Sequence, residues 1–415
     1  MGHDVLIVGA GIVGLCTAHY AAERGLRVTV VERGGPDDEG CSFGNAGMIV
    51  PSHVVPLAAP GMVSLGLRYM LSPESPFYVR PRASLDLLRW GARFWRAANG
   101  RHVARAAPVL RDLHLASRAC FEELAGTSDF GLVKRGLLML CKTAQGLEEE
   151  ARAAEHARSL GVPAQIVSAA EAQALEPGVR LDVAGAVHYP MDCHLTPARL
   201  MASLRESLER SSVNMVWNAS VTGWRHREGR VEAAITTQGE LAADEYVLAA
   251  GIWSTPVARD LGMSLPMQAG KGYSLTLPEP RRLPHLCALL HEARVAVTPM
   301  GRALRVGGTM ELTGIDTTVD PARVRGIVKA VPRYLPDFEP GDFEGVPAWA
   351  GLRPCPPDGL PYVGRTRRFR NLTVATGHSM MGVSLAPITG RLVAAMLAGA
   401  PPSIDVAALS PDRYS

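Results

Sequence analysis

The sequence predicts an α/β fold with an added antiparallel sheet, and three stretches predict it. Near the N-terminus a short apolar run, Val5–Val8, passes into a glycine triplet and a helical pattern, and a second strand follows at Arg27–Val31. Near the C-terminus, Asn371–Thr376 again leads through a glycine loop into an apolar helix that reaches Leu397. Between them, residues 266–350 are rich in short β-patterned runs, which suit a separate antiparallel sheet. At 415 residues, 47% hydrophobic and 20% charged, the chain has material for a sizeable core and two or three domains. Its 43 basic and 40 acidic residues leave +3, too even a balance for a nucleic-acid footprint, and none is expected. Seven cysteines include no C-x-x-C pair, so neither a disulfide framework nor a metal site is expected. With no run of 18 apolar residues and an acidic Asp4 ahead of the first apolar run, a cytoplasmic protein is expected.

Val5–Val8 is β-branched and uninterrupted, as a strand covered on both faces should be. Gly9-Ala10-Gly11-Ile12-Val13-Gly14 follows at once, then Leu15, Ala18, His19 and Ala22 at helical spacing. Gly25 ends that helix, and Arg27–Val31 closes on Glu32, about 20 residues past the glycines. This is G-x-G-x-x-G in the strand–turn–helix–strand context that makes it a dinucleotide site, and hence a Rossmann-like unit. Gly9 permits the tight turn, Gly11 lets backbone approach a pyrophosphate, and Gly14 lets helix and strand pack closely. The helix start offers unpaired N–H groups to that pyrophosphate. Glu32 suits a ribose and would repel a 2′-phosphate, which disfavours NADP. The motif alone does not separate FAD from NAD. A second small-residue run, Gly40–Gly47, with Ser42, Asn45, Ala46 and Gly47, points to FAD, because a bulky planar ligand needs such close backbone approach.

Beyond it, Leu85–Trp95 reads as an amphipathic helix with Arg89, Arg93 and Arg96 interleaved. Such a helix either packs by one greasy face on its own protein or lies on a membrane surface. Helices are expected over 106–124, 145–160 and, opened by Thr196-Pro197, to about Arg210; a strand is expected at Gly136–Cys141. A hairpin turns through Arg227–Arg230, and a buried strand runs from Asp244 into Ala250-Gly251, with Trp253 just after, a second close approach to the nucleotide. Turns are expected at Met300-Gly301 and Gly307-Gly308. The loop Gly377-His378-Ser379-Met380-Met381-Gly382-Val383 opens the last helix, whose N-terminus would face the pyrimidine end of a flavin.

Five motifs in this order, Gly9–Gly14 with Glu32, Ser42–Gly47, Val247–Ser254, Trp349–Gly364 and Gly377–Gly390, resemble the D-amino-acid oxidase superfamily of FAD-dependent oxidoreductases. Within it the chain is most similar to bacterial D-amino-acid dehydrogenases. The resemblance implies a discontinuous FAD-binding domain over 1–80, 150–255 and 350–415, and an antiparallel-sheet substrate domain over 81–149 and 256–349. It also adds Arg33 and Val221 to the cofactor contacts. The implied chemistry is hydride transfer from substrate Cα to flavin N5, giving an imine that water converts to a 2-oxo acid.

Arg353 matches the position at which glycine oxidase holds the substrate carboxylate, while Met380 stands where that family has a second arginine. Tyr273, His53 and His378 are the other implied substrate-side residues, each with a packing role as its alternative. Lys271 is the cation to consider if oxygen is the acceptor. Cys355 follows the Arg-Pro pair instead of preceding it, so the FAD is expected to be non-covalent. The resemblance thus implies a dehydrogenase of D-amino acids passing electrons to a quinone or similar acceptor, with D-proline or 4-hydroxy-D-proline as candidate substrates. Its alternatives are an oxygen-using amine oxidase and a non-catalytic flavin subunit of an electron-transfer assembly. The sequence leaves the oligomeric state open and allows peripheral contact with the inner membrane face.

Overall fold

Two sheets organise the chain in the computed structural model, which describes residues 3–70, 72–211 and 213–415; the elements below are those of these residues. The first sheet runs, in order, Asn214–Val216, Arg27–Val31, Asp4–Val8, Glu245–Leu248 and Leu372–Thr376, all parallel, with Tyr362–Arg365 antiparallel at its edge. Alternation explains the uninterrupted apolar run of the central strand. Val5 and Ile7 face a helical layer made by Ile12–Glu23, Pro197–Arg210 and Gly382–Leu397. Leu6 and Val8 face a three-stranded meander, Val221–Arg227, Arg230–Thr236 and Gly239–Ala242, through Trp224 and Val231. The first and last helices pack backbone to backbone at Gly390, where a Cβ would stand 2.5 Å from Cys16 carbonyl carbon.

The second sheet has nine strands and is largely antiparallel. Its path is Ala348–Cys355, Gln268–Leu277, Ala303–Leu312, Val295–Met300, Cys287–Leu290, Leu137–Cys141, Gly185–Tyr189 and Gln165–Ser168, with Phe77–Val79 beside Ala303–Leu312. Sheet membership divides the chain elsewhere than the expected boundaries. Gln165–Ser168 and Gly185–Tyr189, expected in the cofactor part, belong to this second sheet. The helix Gly100–Ala125, expected in the substrate part, buries Leu110, Leu113 and Phe121 in the core of the first sheet. The chain crosses between the two sheets several times, so no single composition shift marks a boundary.

Gly307 and Gly308 also differ from expectation: they lie inside the strand Ala303–Leu312, not in a turn. They are small because the sheet is tight there; a Cβ on Gly307 would stand 3.1 Å from Tyr273 O, and one on Gly308 3.1 Å from Arg294 O. The Met300-Gly301 turn is observed, with Gly301 at φ +65°. One stretch, Ser379–Leu397, is long and apolar enough to cross a membrane, yet 78% of that window is buried among the helices of the first sheet.

Candidate functional site

The glycine triplet divides its labour as its spacing predicts. Gly9 takes φ +108° and a Cβ there would lie 2.7 Å from Ala249 O, while one on Gly14 would lie 1.9 Å from Gly9 O. Gly11, at φ −66°, has nothing within 4 Å of where its Cβ would be, and the space before it is a cavity of about 1250 Å³. Gly251, at φ +56°, is likewise open to that cavity. Gly11, as N-cap, offers no side chain to the helix it opens. Ser42 Oγ accepts the Ile12 N–H at 3.3 Å, drawing the second glycine loop over the first. Glu32 accepts the Ala10 N–H at 2.7 Å and the Gly34 N–H at 3.1 Å, which leaves the outward lone pairs of its carboxylate for a ribose. The Arg33 guanidinium stacks 3.5 Å over Trp253, fixing one wall.

Of the expected cofactor residues, Gly9 to Val13, Glu32, Arg33, Ser42, Asn45, Ala46, Val221, Ala250, Trp253, Gly377, Met381, Gly382 and Val383 line the cavity. Gly14 and Gly47 do not: both serve packing, and a Cβ on Gly47 would stand 2.2 Å from Leu195 O. Sequence reasoning missed the anchor of the second loop. Arg305, buried in the large sheet, donates to Phe43 O at 2.7 Å, Asn45 O at 2.9 Å and Thr276 Oγ1 at 2.9 Å. Burial pulls its pKa down to about 10, so it is still charged at neutral pH. The only signal would have been an arginine set among apolar strand residues, Leu304-Arg305-Val306.

At the other end of the cavity stands Arg353, on the strand Ala348–Cys355. Its guanidinium crosses in front of Gly272, where a Cβ would come within 2.1 Å of it. Its Nη1 donates to Thr309 O at 2.7 Å, and among the described residues no carboxylate lies within 4 Å of it. The Thr309 carbonyl is turned toward it by a bulge opposite Lys271–Tyr273, at which Thr309 takes φ +66°, a strained value for a β-branched residue. Desolvation draws the Arg353 pKa below its ordinary value. A buried cation without an internal acid, facing a cavity, is a site for an external anion.

The remaining expected substrate residues separate. His53 lines the cavity with its Nδ1 3.1 Å from Ser52 Oγ. Met380, 47% exposed, sits at the rim. His378 also lines the cavity, but its Nε2 is engaged 2.9 Å from Thr389 Oγ1, and burial lowers its pKa to about 4, so it is a neutral structural histidine. Tyr273 lines the cavity as well, but its hydroxyl is engaged, donating to Glu311 Oε2 at 2.5 Å within a buried cluster with Arg323. Lys271 joins the same cluster, 3.5 Å from Glu311 and 3.4 Å from Asp316, and does not line the cavity. Lys271 and Tyr273 share one face of their strand and Gly272 the other; Gly272 and Tyr273 both border the cavity, and Lys271 does not. The Cys355 thiol, pushed up to about 11 by burial, is protonated at neutral pH, and its Sγ is 3.5 Å from Arg353 O.

A family model described as FAD dependent oxidoreductase (DAO) matches residues 4–396. The chain belongs to this family. FAD is its cofactor, and the open cradle over Gly11 and Gly251 fits an elongated dinucleotide. A D-amino acid dehydrogenase of Granulibacter bethesdensis is 33% identical over 423 residues, covering 99% of each chain. Another, from Bradyrhizobium diazoefficiens, is 31% identical over 424 residues, again covering 99% of each. Among solved structures, glycine oxidase from Geobacillus kaustophilus superposes with a TM-score of 0.79 at 26% identity and covers 100% of both chains. This FAD-dependent oxidoreductase therefore shares its whole length with amino-acid-oxidising relatives.

Proposed function

We propose that this chain oxidises D-amino acids and passes the electrons to a quinone-type acceptor. The observation that carries the reading is Arg353, a desolvated guanidinium without a protein carboxylate, set in the cavity that also contains the dinucleotide cradle. Bound FAD supplies the two-electron acceptor. The protein's part is placement. Arg353 holds the substrate carboxylate through two parallel N–H bonds, while Thr309 O takes a third N–H and stops the fork from rotating. Gly272 leaves room for that fork, and Met310 with Met380 keeps the wall around the reacting carbon apolar. The imine product leaves for water, which gives the 2-oxo acid and ammonia, or a cyclic imine from a ring substrate.

Two features favour an acceptor other than oxygen. Lys271, the cation that would stabilise charge on reduced oxygen, is neutralised by Glu311 and Asp316 outside the cavity. The cavity mouth, moreover, is rimmed by Leu67, Trp95 and Met380, with Leu85 and Leu88 exposed beside them and Arg68, Arg89 and Arg96 interleaved. The helix Leu85–Ala97 buries only Trp90, which stacks on Phe94 at 5.1 Å and donates to Cys355 O at 2.9 Å. Trp95 and Leu88 stay 69% and 67% exposed. An apolar rim interleaved with arginines suits peripheral contact with an anionic membrane, where a quinone would reach the cavity. Leu88→Glu with Trp95→Glu is expected to abolish cosedimentation with anionic vesicles and slow quinone reduction, with dye-linked turnover retained. Unchanged sedimentation would remove the membrane from the reading.

The reading as a whole is tested by anaerobic titration of the yellow protein with D- and L-amino acids, glycine, sarcosine and D-proline. Bleaching near 450 nm by D-amino acids that persists when air is admitted is the expected result. Rapid recolouring with peroxide would replace the dehydrogenase by an oxidase. In the same panel, a preference for D-proline or 4-hydroxy-D-proline over D-alanine is expected from His53 and Met380 at the cavity wall, and a clear preference for D-alanine would end that substrate assignment.

A further inference from the structure

One buried carboxylate has no part in the site so far. Asp192, in the turn between Gly185–Tyr189 and Cys193–His194, is fully buried, and among the described residues no cation lies within 4 Å of it. Its side-chain bonds come from one residue: Ser52 N–H at 3.0 Å and Ser52 O–H at 2.5 Å. With Asp192 ionised, the single hydroxyl proton of Ser52 lies in that short bond to the carboxylate. The lone pair of Ser52 Oγ is then left facing His53 Nδ1 at 3.1 Å, so Nδ1 must carry a proton. In a neutral imidazole the lone pair is therefore on Nε2, which takes no hydrogen bond from the protein, on a ring that lines the cavity.

This arrangement belongs to the ionised form of Asp192, which grows in as the pH rises through neutral. Burial lowers His53, with Arg294 adding to the effect and Glu150 opposing it; His114 alongside is itself neutral, lowered to about 3. Asp192 is raised to about 7 by burial, against the Ser52 bonds and the more distant Arg118. Tyr189, Cys193 and Cys287 nearby are all raised by burial and stay protonated.

We propose that Asp192, through Ser52, holds His53 as the acceptor of the substrate's ammonium proton. This rests on the amine-oxidation reading and adds a positioning role to it. An ammonium N–H bond breaks and an Nε2–H bond forms, leaving a neutral amine whose lone pair can form C=N as the Cα–H bond breaks and its hydrogen leaves as hydride, for which bound FAD would supply the acceptor. The imidazolium charge is met across Ser52 by the Asp192 carboxylate, and the proton later passes to water through the cavity mouth.

The test uses holoenzyme with Ser52→Ala, Ser52→Thr and His53→Gln, each checked for flavin content and melting temperature. At alkaline pH, with Asp192 ionised, nitrogen-15 NMR of labelled histidine is expected to show His53 as the Nδ1–H tautomer in the wild type and in Ser52→Thr, and a mixture in Ser52→Ala. Anaerobic flavin reduction at neutral pH is expected to slow by about tenfold in Ser52→Ala and by about a hundredfold in His53→Gln. In both, the rising limb of the pH profile should move to alkaline pH, where free amine exists in solution, and Ser52→Thr should restore it. An Nε2–H tautomer in the wild type, or an unmoved limb in Ser52→Ala, overturns the proposal alone. Failure of every amine to reduce the wild type at any pH overturns the amine-oxidation reading, and the proposal with it.

Discussion

Arg353→Met is expected to lower kcat/KM for amino acids by roughly two to three orders of magnitude, with FAD still bound. The reason lies in the partners of the guanidinium. Among the described residues its one bond is to the Thr309 carbonyl, so its forks toward the cavity are open to a substrate carboxylate. Removing it leaves a substrate carboxylate desolvated and unpaired, which costs far more than a surface ion pair would. Arg353→Lys should recover only part of the loss, because a point charge cannot grip both carboxylate oxygens. The discriminating measurement is the comparison of substrates: amino acids should lose rate, while an amine of similar size lacking the carboxylate should be oxidised as slowly by the variant as by the wild type. Unchanged KM for amino acids in Arg353→Met would mean that the carboxylate binds elsewhere.

The second large effect separates two glycines three residues apart. Gly11 has ordinary extended dihedrals and open space where its Cβ would be, so Gly11→Val should fold and melt as the wild-type apoprotein does. Its new methyls would fill the cradle meant for a pyrophosphate, and the purified variant should be colourless, with FAD affinity down by at least about a hundredfold. Gly14→Ala has the reverse profile. Its methyl would lie 1.9 Å from the Gly9 carbonyl oxygen, backbone that cannot step aside, so stability should fall by a few kcal/mol. Melting curves with and without added FAD tell the two apart. A yellow Gly11→Val protein would contradict the assignment of the cradle.

Legibility in the sequence followed the range of the interaction. The cradle was readable because its causes are local: a tight turn, a close approach and a helix start within ten residues, with Glu32 one strand away. The face presented by a strand was not. Lys271, Gly272 and Tyr273 are consecutive, yet Gly272 and Tyr273 border the cavity while Lys271 is drawn into the ion pairs with Glu311 and Asp316. That choice is made by the bulge at Thr309 and by the Glu311–Arg323 cluster behind the sheet, both remote from the motif. Arg305 and Asp192 stayed hidden for a similar reason. Each acts on a segment more than a hundred residues away in sequence, the loops at 43–45 and at Ser52. The domain limits were obscured because the chain passes back and forth between its two sheets several times, so no one stretch of sequence marks a boundary.

The central claim is that one cavity seats FAD at its glycine end and a substrate carboxylate at Arg353. A crystal structure of the holoenzyme with an unreactive carboxylate ligand tests it most directly. The account predicts the pyrophosphate over Gly11 and Ile12, and the ligand carboxylate bridged by both forks of Arg353, with Thr309 O still bonded to Nη1. A carboxylate bound away from Arg353, or Arg353 turned to pair with an acid of the protein, would contradict it.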